Sequence, residues 1–331
     1  MRDLDRSARF VFCLLLLAAA IHSHAAPVVI TGLGENGWHT WQVESVESAP
    51  DMCCYTWKKG AANSGQCDLD RRGGGFSSTD DESFAHDVVQ IYAQMTSGNV
   101  TRIRVLSAQC PVTANTEIKD LGIVNTDDSV SWLQPFIADG GKLSSDAIAA
   151  VAVHDGTYAR DVLTDTAKSG RRRDDREEAI FWMAQVRVAE TATVIKEFIF
   201  DDENAGICEH AAFSYSQSDA SDITEVLVRQ GRNDDDPEVR SQAWFWLAQT
   251  EAEESEVEIR HALLNDKDDD VREQAVFALS QLPEQRAVKA LAAILEDRQL
   301  DREIREQALF WLTQTDSDEA FETIDRLLSD N

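Results

Sequence analysis

Apolar residues recur at helical spacing through residues 140–331, and the pattern breaks at regular intervals. In one segment they lie on one helical face on each side of Pro283, so the pattern predicts two helices that end and begin there. The apolar positions are Val271, Ala275, Ala278, Leu279 and Leu282 before the proline, and Ala287, Val288, Leu291, Ile294 and Leu295 after it.

This two-helix pattern is part of a repeat. Copies of one ten-residue segment begin at Arg176, Cys208, Arg240, Arg272 and Arg305, at separations of 32, 32, 32 and 33 residues, and a weaker copy runs from Ser144 to Val153. A single helical hairpin cannot bury its apolar face, whereas stacked hairpins can. The sequence therefore predicts a mainly α fold, an α-solenoid of about six repeats over residues 139–331.

The repeats resemble the HEAT-repeat family, in particular its PBS-lyase-type repeats. The matching signature is D-x-x-V-R-x-x-A-x-x-x-L, which stands at Asp236, Val239, Arg240, Ala243 and Leu247, at Asp268, Val271, Arg272, Ala275 and Leu279, and at Asp301, Ile304, Arg305, Ala308 and Leu312. The resemblance implies an α/α superhelix, and it says little about activity because the family mostly serves as a scaffold and binding surface. We expect no catalytic residue and no cofactor. In the unit that begins at Cys208 the signature arginine is missing, so we expect weaker Asp–Arg contacts and a flexible joint there.

Enzymes of this repeat class give a contrast. The deoxyhypusine hydroxylase type binds iron through several His-Glu pairs, but this chain has only Glu209-His210, in reversed order. A di-iron site is therefore not expected.

Aromatic and amide residues recur at fixed places in the repeats, and we call this set the aromatic–amide stripe. It comprises Phe181, Phe213, Phe245, Phe277 and Phe310, the tryptophans Trp182, Trp246 and Trp311, and Gln185, Gln217, Gln249, Gln281 and Gln314. Each glutamine follows its phenylalanine by four residues, on the same helical face. Two interpretations stay open: a binding surface for an extended polypeptide, or rings and amides packed between neighbouring helices, which is the commoner cause of identity between repeats.

Residues 26–138 have a different composition and are predicted to form a small β-rich domain. Alternating patterns predict strands at 38–46, 87–95 and 101–106, and the last two flank a turn at Thr96–Asn99, as expected for a β-hairpin.

Four cysteines fall in this region, which favours disulfides in an exported chain. A bridge between the adjacent Cys53 and Cys54 would be strained, so each is expected to pair with either Cys67 or Cys110. A metal site completed by His39 or His86 is the alternative, although the paired spacing typical of structural zinc is missing. Cys208 stands apart and is expected to be a buried apolar residue.

The amino terminus has the features of a secretory signal. Arg2, Arg6 and Arg9 precede an apolar stretch from Phe10 to Ile21, and small residues allow cleavage after Ala25. Residues 1–25 are therefore predicted to be a signal peptide, and the mature chain is expected to be periplasmic or secreted, without a membrane-inserted segment.

The net charge of the chain limits the kinds of partner that it is expected to bind. The chain has 31 Lys and Arg against 60 Asp and Glu, a net charge of −29, so nucleic acid is not an expected partner. The sequence predicts an exported scaffold that binds a protein or peptide. The alternative is an envelope enzyme or metal-binding protein with its chemistry in residues 26–138. Aspartate-rich turns between repeats allow calcium binding, but helix capping explains them more simply.

Overall fold

The computed structural model describes residue 30 and residues 33–58, 61–71, 87–315 and 317–329. The predicted signal peptide and His86 lie outside the described residues. Within them, a small sheet region is followed by a stack of helical pairs.

The amino-terminal region is built on a four-stranded sheet with the order β6-β5-β1-β8. Strands β1–β5 and β5–β6 pair antiparallel, and β1–β8 pair in parallel. The predicted hairpin is confirmed: β5 and β6 are joined through Ser97 and Gly98, whose φ angles of 52° and 78° suit a tight hairpin turn. The described residues contain eight strands, which are β1 Gly37–Glu44, β2 Cys54–Lys58, β3 Ala61–Gly65, β4 Cys67–Asp68, β5 Val88–Thr96, β6 Asn99–Ser107, β7 Val112–Thr113 and β8 Ile118–Ile123.

Two short strand pairs lie beside this sheet and bring the cysteines together. The hairpin β2–β3 is antiparallel, and β4 pairs in parallel with β7. Disulfides join Cys53 to Cys110 and Cys54 to Cys67, so each adjacent cysteine pairs with one of the two distant ones. These cysteines pack in a small core with Trp38, Leu69, Tyr92 and Leu106.

Twelve helices follow in the described part of the chain. They are α1 Thr126–Asp139, α2 Ser144–Val153, α3 Thr157–Ser169, α4 Arg173–Asp201, α5 Ala205–Ser216, α6 Ile223–Asn233, α7 Pro237–Gln249, α8 Ser255–Asn265, α9 Asp269–Ser280, α10 Glu284–Glu296, α11 Arg302–Gln314 and α12 Asp318–Ser329. After α1, which the sequence pattern did not predict, they form six stacked pairs. The solenoid predicted from the repeats is therefore confirmed.

Each pair is one repeat unit, and we call its members the first and second helix. The signature positions are buried, as Val239, Ala243 and Leu247 illustrate with exposures of 1%, 0% and 0%. In the second unit both helices lie within α4, which kinks at Arg187. Arg187 has non-helical φ and ψ angles of −138° and 20°, so the two helices follow each other directly at this kink, without a glycine or proline in the stretch.

The sheet covers the amino-terminal end of the solenoid. The Val46 N–H donates to Val153 O (3.0 Å) and the Asp155 N–H donates to Glu44 O (3.0 Å), so the end of β1 is bonded to the end of α2. Apolar residues of the sheet, of α1 and of the units form one continuous core. The predicted division of the chain at residue 138 stays a prediction.

Polar side chains are buried at this junction. Trp41 Nε1 donates to Ser129 Oγ (2.8 Å), which also lies 2.8 Å from His154 Nε2. The buried Arg187 guanidinium donates to the carbonyls of Ala152 and His154. Burial lowers the pKa of His154 to about 4, so its imidazole is neutral at ordinary pH. Among the described residues, no helix is long and apolar enough to cross a membrane.

Candidate functional site

The structure places the aromatic–amide stripe on the first helices of successive units. Phe181, Phe213, Phe245 and Phe277 are half-buried, and Phe310 on α11 is 53% exposed. The rings therefore lie at the boundary between the packed layer and the surface.

The rings contact one another across the boundaries between units. The Phe213 and Trp246 ring centroids are 4.7 Å apart, those of Phe245 and Phe277 5.6 Å, and those of Phe277 and Trp311 4.8 Å. Within units, Phe245 contacts Trp246 and Phe310 contacts Trp311 at 4.7 and 5.0 Å. Distances of this size are typical of favourable aromatic pairs. An unbroken series of rings thus runs from α5 to α11 and contributes to packing while part of it faces solvent.

The stripe begins differently in the second unit. Phe181 contacts the neighbouring Trp182 at 5.7 Å, but Trp182 is only 6% exposed. Its indole Nε1 donates to Glu178 Oε1 on the same helix (2.9 Å). Trp182 therefore offers little surface, although the sequence placed it with Trp246 and Trp311.

The glutamines divide into two groups. Gln217, Gln249 and Gln314 are exposed, whereas Gln185 and Gln281 are half-buried. Gln185 Nε2 donates to Gln217 O in the next unit (3.3 Å), and Gln281 Nε2 donates to Ser280 Oγ (3.0 Å). One amide thus links two units, and the exposed amides leave polar groups at the surface beside the rings.

Carboxylates lie one helical turn before several of the phenylalanines. Glu273 accepts a hydrogen bond from Gln307 Nε2 of the next unit (2.7 Å), which shows that this position faces the following repeat. Burial and the nearby charges of Glu238 and Asp236 raise the pKa of Glu209. The surface along the stripe is therefore aromatic in the middle and acidic on one side.

Beneath this surface, arginines of the repeat signature form ion pairs with aspartates of the following turn. Arg176 Nη2 lies 2.5 Å from Asp202 Oδ2, and Arg240 contacts both oxygens of Asp266 at 3.0 and 2.9 Å, in each case 26 residues further along. The Arg240 and Asp266 side chains are 2% and 9% exposed. The sequence patterns did not identify these partners, although the two pairs share one separation along the chain.

The unit that begins with Cys208 has no such pair. Asp234 lies 26 residues after Cys208, at the position that Asp266 has relative to Arg240. Among the described residues Asp234 has no ion pair, and the Cys208 thiol donates instead to Asp202 O (3.3 Å). Burial raises the pKa of Asp234, and burial raises that of the Cys208 thiol to about 11. The expected loss of an Asp–Arg contact is confirmed, and a flexible joint there stays a prediction.

The aspartate-rich turns cap helices. Asn204 accepts from the Gly206 N–H, Asp236 from the Glu238 N–H and Asp268 from the Asp270 N–H. In α7, Pro237 stands at the first helical position directly after its cap Asp236, a position that proline favours. Within the part of the chain that the structure describes, no group of three or more His, Cys, Asp or Glu side chains is placed to hold a metal ion, and His39 is buried in β1.

One family of known proteins matches part of the solenoid. The family described as HEAT repeats matches residues 224–309. The solved structure of human deoxyhypusine hydroxylase in complex with glycerol has 16% sequence identity to this chain. The match covers 60% of this chain and 77% of that chain, with a TM-score of 0.27. The structure of YibA from E. coli is 18% identical, with 61% and 81% covered and a TM-score of 0.37. No curated protein matches the chain. The family match shows HEAT repeats in residues 224–309, and the stacked helical pairs have the same architecture along the rest of the solenoid.

Proposed function

We propose that this chain is an exported scaffold that binds a protein or peptide partner through the aromatic–amide stripe. The observation that supports it is the series of rings from Phe213 to Phe310, which crosses four first helices and keeps part of its surface exposed. Partly exposed aromatic side chains in a rigid array are typical of contact surfaces.

The chemistry of the surface suits an extended polypeptide. Ring edges bind apolar side chains, and the exposed amides of Gln217 and Gln249 donate to and accept from a peptide backbone. A net charge of −29 disfavours anionic partners. The repeat spacing presents these groups at regular intervals along the solenoid.

Export is the second part of the proposal. It rests on the signal-like residues 1–25, and the two disulfides are compatible with an oxidising compartment outside the cytoplasm. We therefore place the proposed binding in the periplasm or outside the cell.

The test separates binding from packing by changing exposed amides only. The full chain is used as bait for an envelope fraction, and the captured partner is then titrated against the variant Gln217→Glu with Gln249→Glu. We expect binding to weaken about 30-fold, as for the loss of an interface hot spot. The matched control is Gln285→Glu on α10, an exposed glutamine away from the stripe.

Two measurements decide the outcome. Thermal unfolding of the double variant should match that of the control, because the two amides are exposed. If the partner binds the double variant as tightly as the control, the stripe is not the binding surface and its rings serve packing alone.

A further inference from the structure

The two disulfides lie against each other, so that their four sulfur atoms form one cluster. Cys67 Sγ is 3.6 Å from Cys110 Sγ, although these two atoms belong to different disulfides. That separation is close to van der Waals contact between sulfurs. A thiolate at Cys67 would therefore have a second disulfide within reach.

Among the four cysteines, Cys54 is the most accessible to solvent. Cys53, Cys67 and Cys110 are 2%, 1% and 5% exposed, whereas Cys54 is half-buried at the start of β2. An external thiolate attacks a disulfide at the sulfur that it can reach. Entry at Cys54 releases Cys67 as the leaving thiolate.

The backbone favours Cys67 in that role. The Cys54 N–H donates to Cys67 Sγ at 3.0 Å, and a hydrogen bond of this kind stabilises the charged sulfur. A more stable leaving thiolate departs faster.

The surrounding strands hold the sulfurs in place independently of the covalent bonds. The Cys67 N–H donates to Pro111 O (2.8 Å) and the Leu69 N–H donates to Thr113 O (2.9 Å), in the parallel pair of β4 and β7. Next to Cys53, the Met52 N–H donates to Ser107 Oγ (2.9 Å). Exchange between the disulfides then needs side-chain rotation but no change in strand pairing.

We propose that Cys54 is a thiolation site whose modification moves the internal crosslink from Cys53–Cys110 to Cys67–Cys110. A small or protein-borne thiolate attacks Cys54 Sγ, forms a mixed disulfide there and breaks the bond to Cys67. The Cys67 thiolate attacks Cys110 Sγ, forms the Cys67–Cys110 disulfide and releases the Cys53 thiolate. One thiolate enters and one leaves, and the number of disulfide bonds, including the mixed one, stays at two.

The consequence lies in the hairpin β2–β3. The Cys54–Cys67 bridge closes its base, where Cys54 pairs with Gly65. After exchange, the remaining bridge joins Cys67 and Cys110, next to the β4–β7 pair that is already hydrogen-bonded. The hairpin loses its covalent closure while the sheet keeps a disulfide.

The experiment maps bonds in the folded full chain after exposure to reduced glutathione at about pH 8, near the ordinary pKa of a thiol. Cys13→Ala and Cys208→Ala remove the cysteines outside the cluster. After an acid quench and alkylation with N-ethylmaleimide, mass spectrometry of nonreduced peptides identifies each sulfur. We expect glutathione on Cys54, a Cys67–Cys110 link and alkylated Cys53, in one-to-one ratio with the glutathione bound.

Two controls exclude simple scrambling. The same treatment of the urea-unfolded chain should give all three pairings of the four cysteines, whereas the folded chain should give only the Cys67–Cys110 product. In a Cys53→Ser, Cys110→Ser variant, glutathione on Cys54 should leave Cys67 free for alkylation. Glutathione first bound to any other cysteine, a modified Cys54 without the Cys67–Cys110 link, or no reaction of the folded chain would each overturn the proposal. Partner binding has no part in this readout.

Discussion

Two units of the solenoid place different side chains at the same signature position. In the unit that begins with Arg240, the Arg240 guanidinium and the Asp266 carboxylate form a buried bidentate ion pair. In the unit that begins with Cys208, a thiol takes that position, and Asp234 is half-buried without an ion pair among the described residues. One residue of the repeat therefore decides whether a carboxylate 26 residues later in the chain has an ion-pair partner.

The pKa values express this difference. Burial alone would raise the pKa of Asp266, but hydrogen bonds from Arg240 and from the Asp268 backbone lower it below its usual 3.8. Burial, with the charges of Asp236 and Asp235, raises the pKa of Asp234 above 3.8. The same repeat position therefore holds a carboxylate whose pKa is lowered in one unit and raised in the other.

The largest effect is expected from removing the buried pair. Arg240→Met should lower the free energy of unfolding by about 3–5 kcal/mol, because Asp266 is then buried without a countercharge. Urea unfolding followed by circular dichroism measures the loss.

The control for this prediction is Arg272→Met. Arg272 is 29% exposed, and the aspartates that it contacts, Asp269 and Asp301, are 80% and 78% exposed. Its loss should cost about 1 kcal/mol or less. Equal losses for the two variants would contradict the importance given to burial.

A smaller effect with a characteristic pH dependence is expected for the aspartates. The lowered pKa of Asp266 means that its ionised form stabilises the fold above its usual pKa, and this contribution is lost as the pH falls through the lowered value. Asp266→Asn should therefore cost about 2 kcal/mol at about pH 7, and less in acid.

Asp234 should behave in the opposite way. Its raised pKa means that the protonated form favours folding, and this contribution is lost as the pH rises through the raised value. Asp234→Asn should increase stability by about 1 kcal/mol or less at neutral pH and change nothing below its usual pKa. Urea midpoints measured across the acid range test both variants, and slopes of the same sign would contradict the comparison.

An effect of similar size is expected when the unit that begins with Cys208 is given an arginine at that position. Cys208→Arg should stabilise the chain by about 1 kcal/mol, because the guanidinium would reach Asp234 as Arg240 reaches Asp266. Cys208→Met controls for added bulk without charge. In a double-mutant cycle, Asp234→Asn should cancel the gain, and a gain that persists would place its origin elsewhere.

Much of the solenoid could be predicted because its information is local and repeated. The period places Val239, Ala243 and Leu247 on one buried face, and Asp236 and Pro237 mark the start of a helix. Contacts between units follow from stacking in register, so the partner of Arg240 could have been found from the 26-residue separation that it shares with the Arg176–Asp202 pair.

Other features depend on contacts that no local pattern encodes. The disulfide pairing is determined by how β4 meets β7, two strands of two residues each that are distant in the chain. Helix α1 is followed by its C-cap Gly140, whose φ of 64° suits glycine, so the end of this helix is a local feature. The position of α1 against the sheet depends instead on tertiary contacts. For the aromatic–amide stripe, spacing predicts alignment of the rings, whereas their partial burial depends on the distance between helices.

The sheet that covers α2 also makes the two ends of the solenoid different. A stack of repeats needs a terminal surface that tolerates water. Here the sheet and α1 supply that surface at one end, because their apolar residues share one core with Ile148 and Val151 of the first unit, which are fully buried. The apolar end of the first unit is therefore covered from within the chain and is not an open surface on which a second copy could stack.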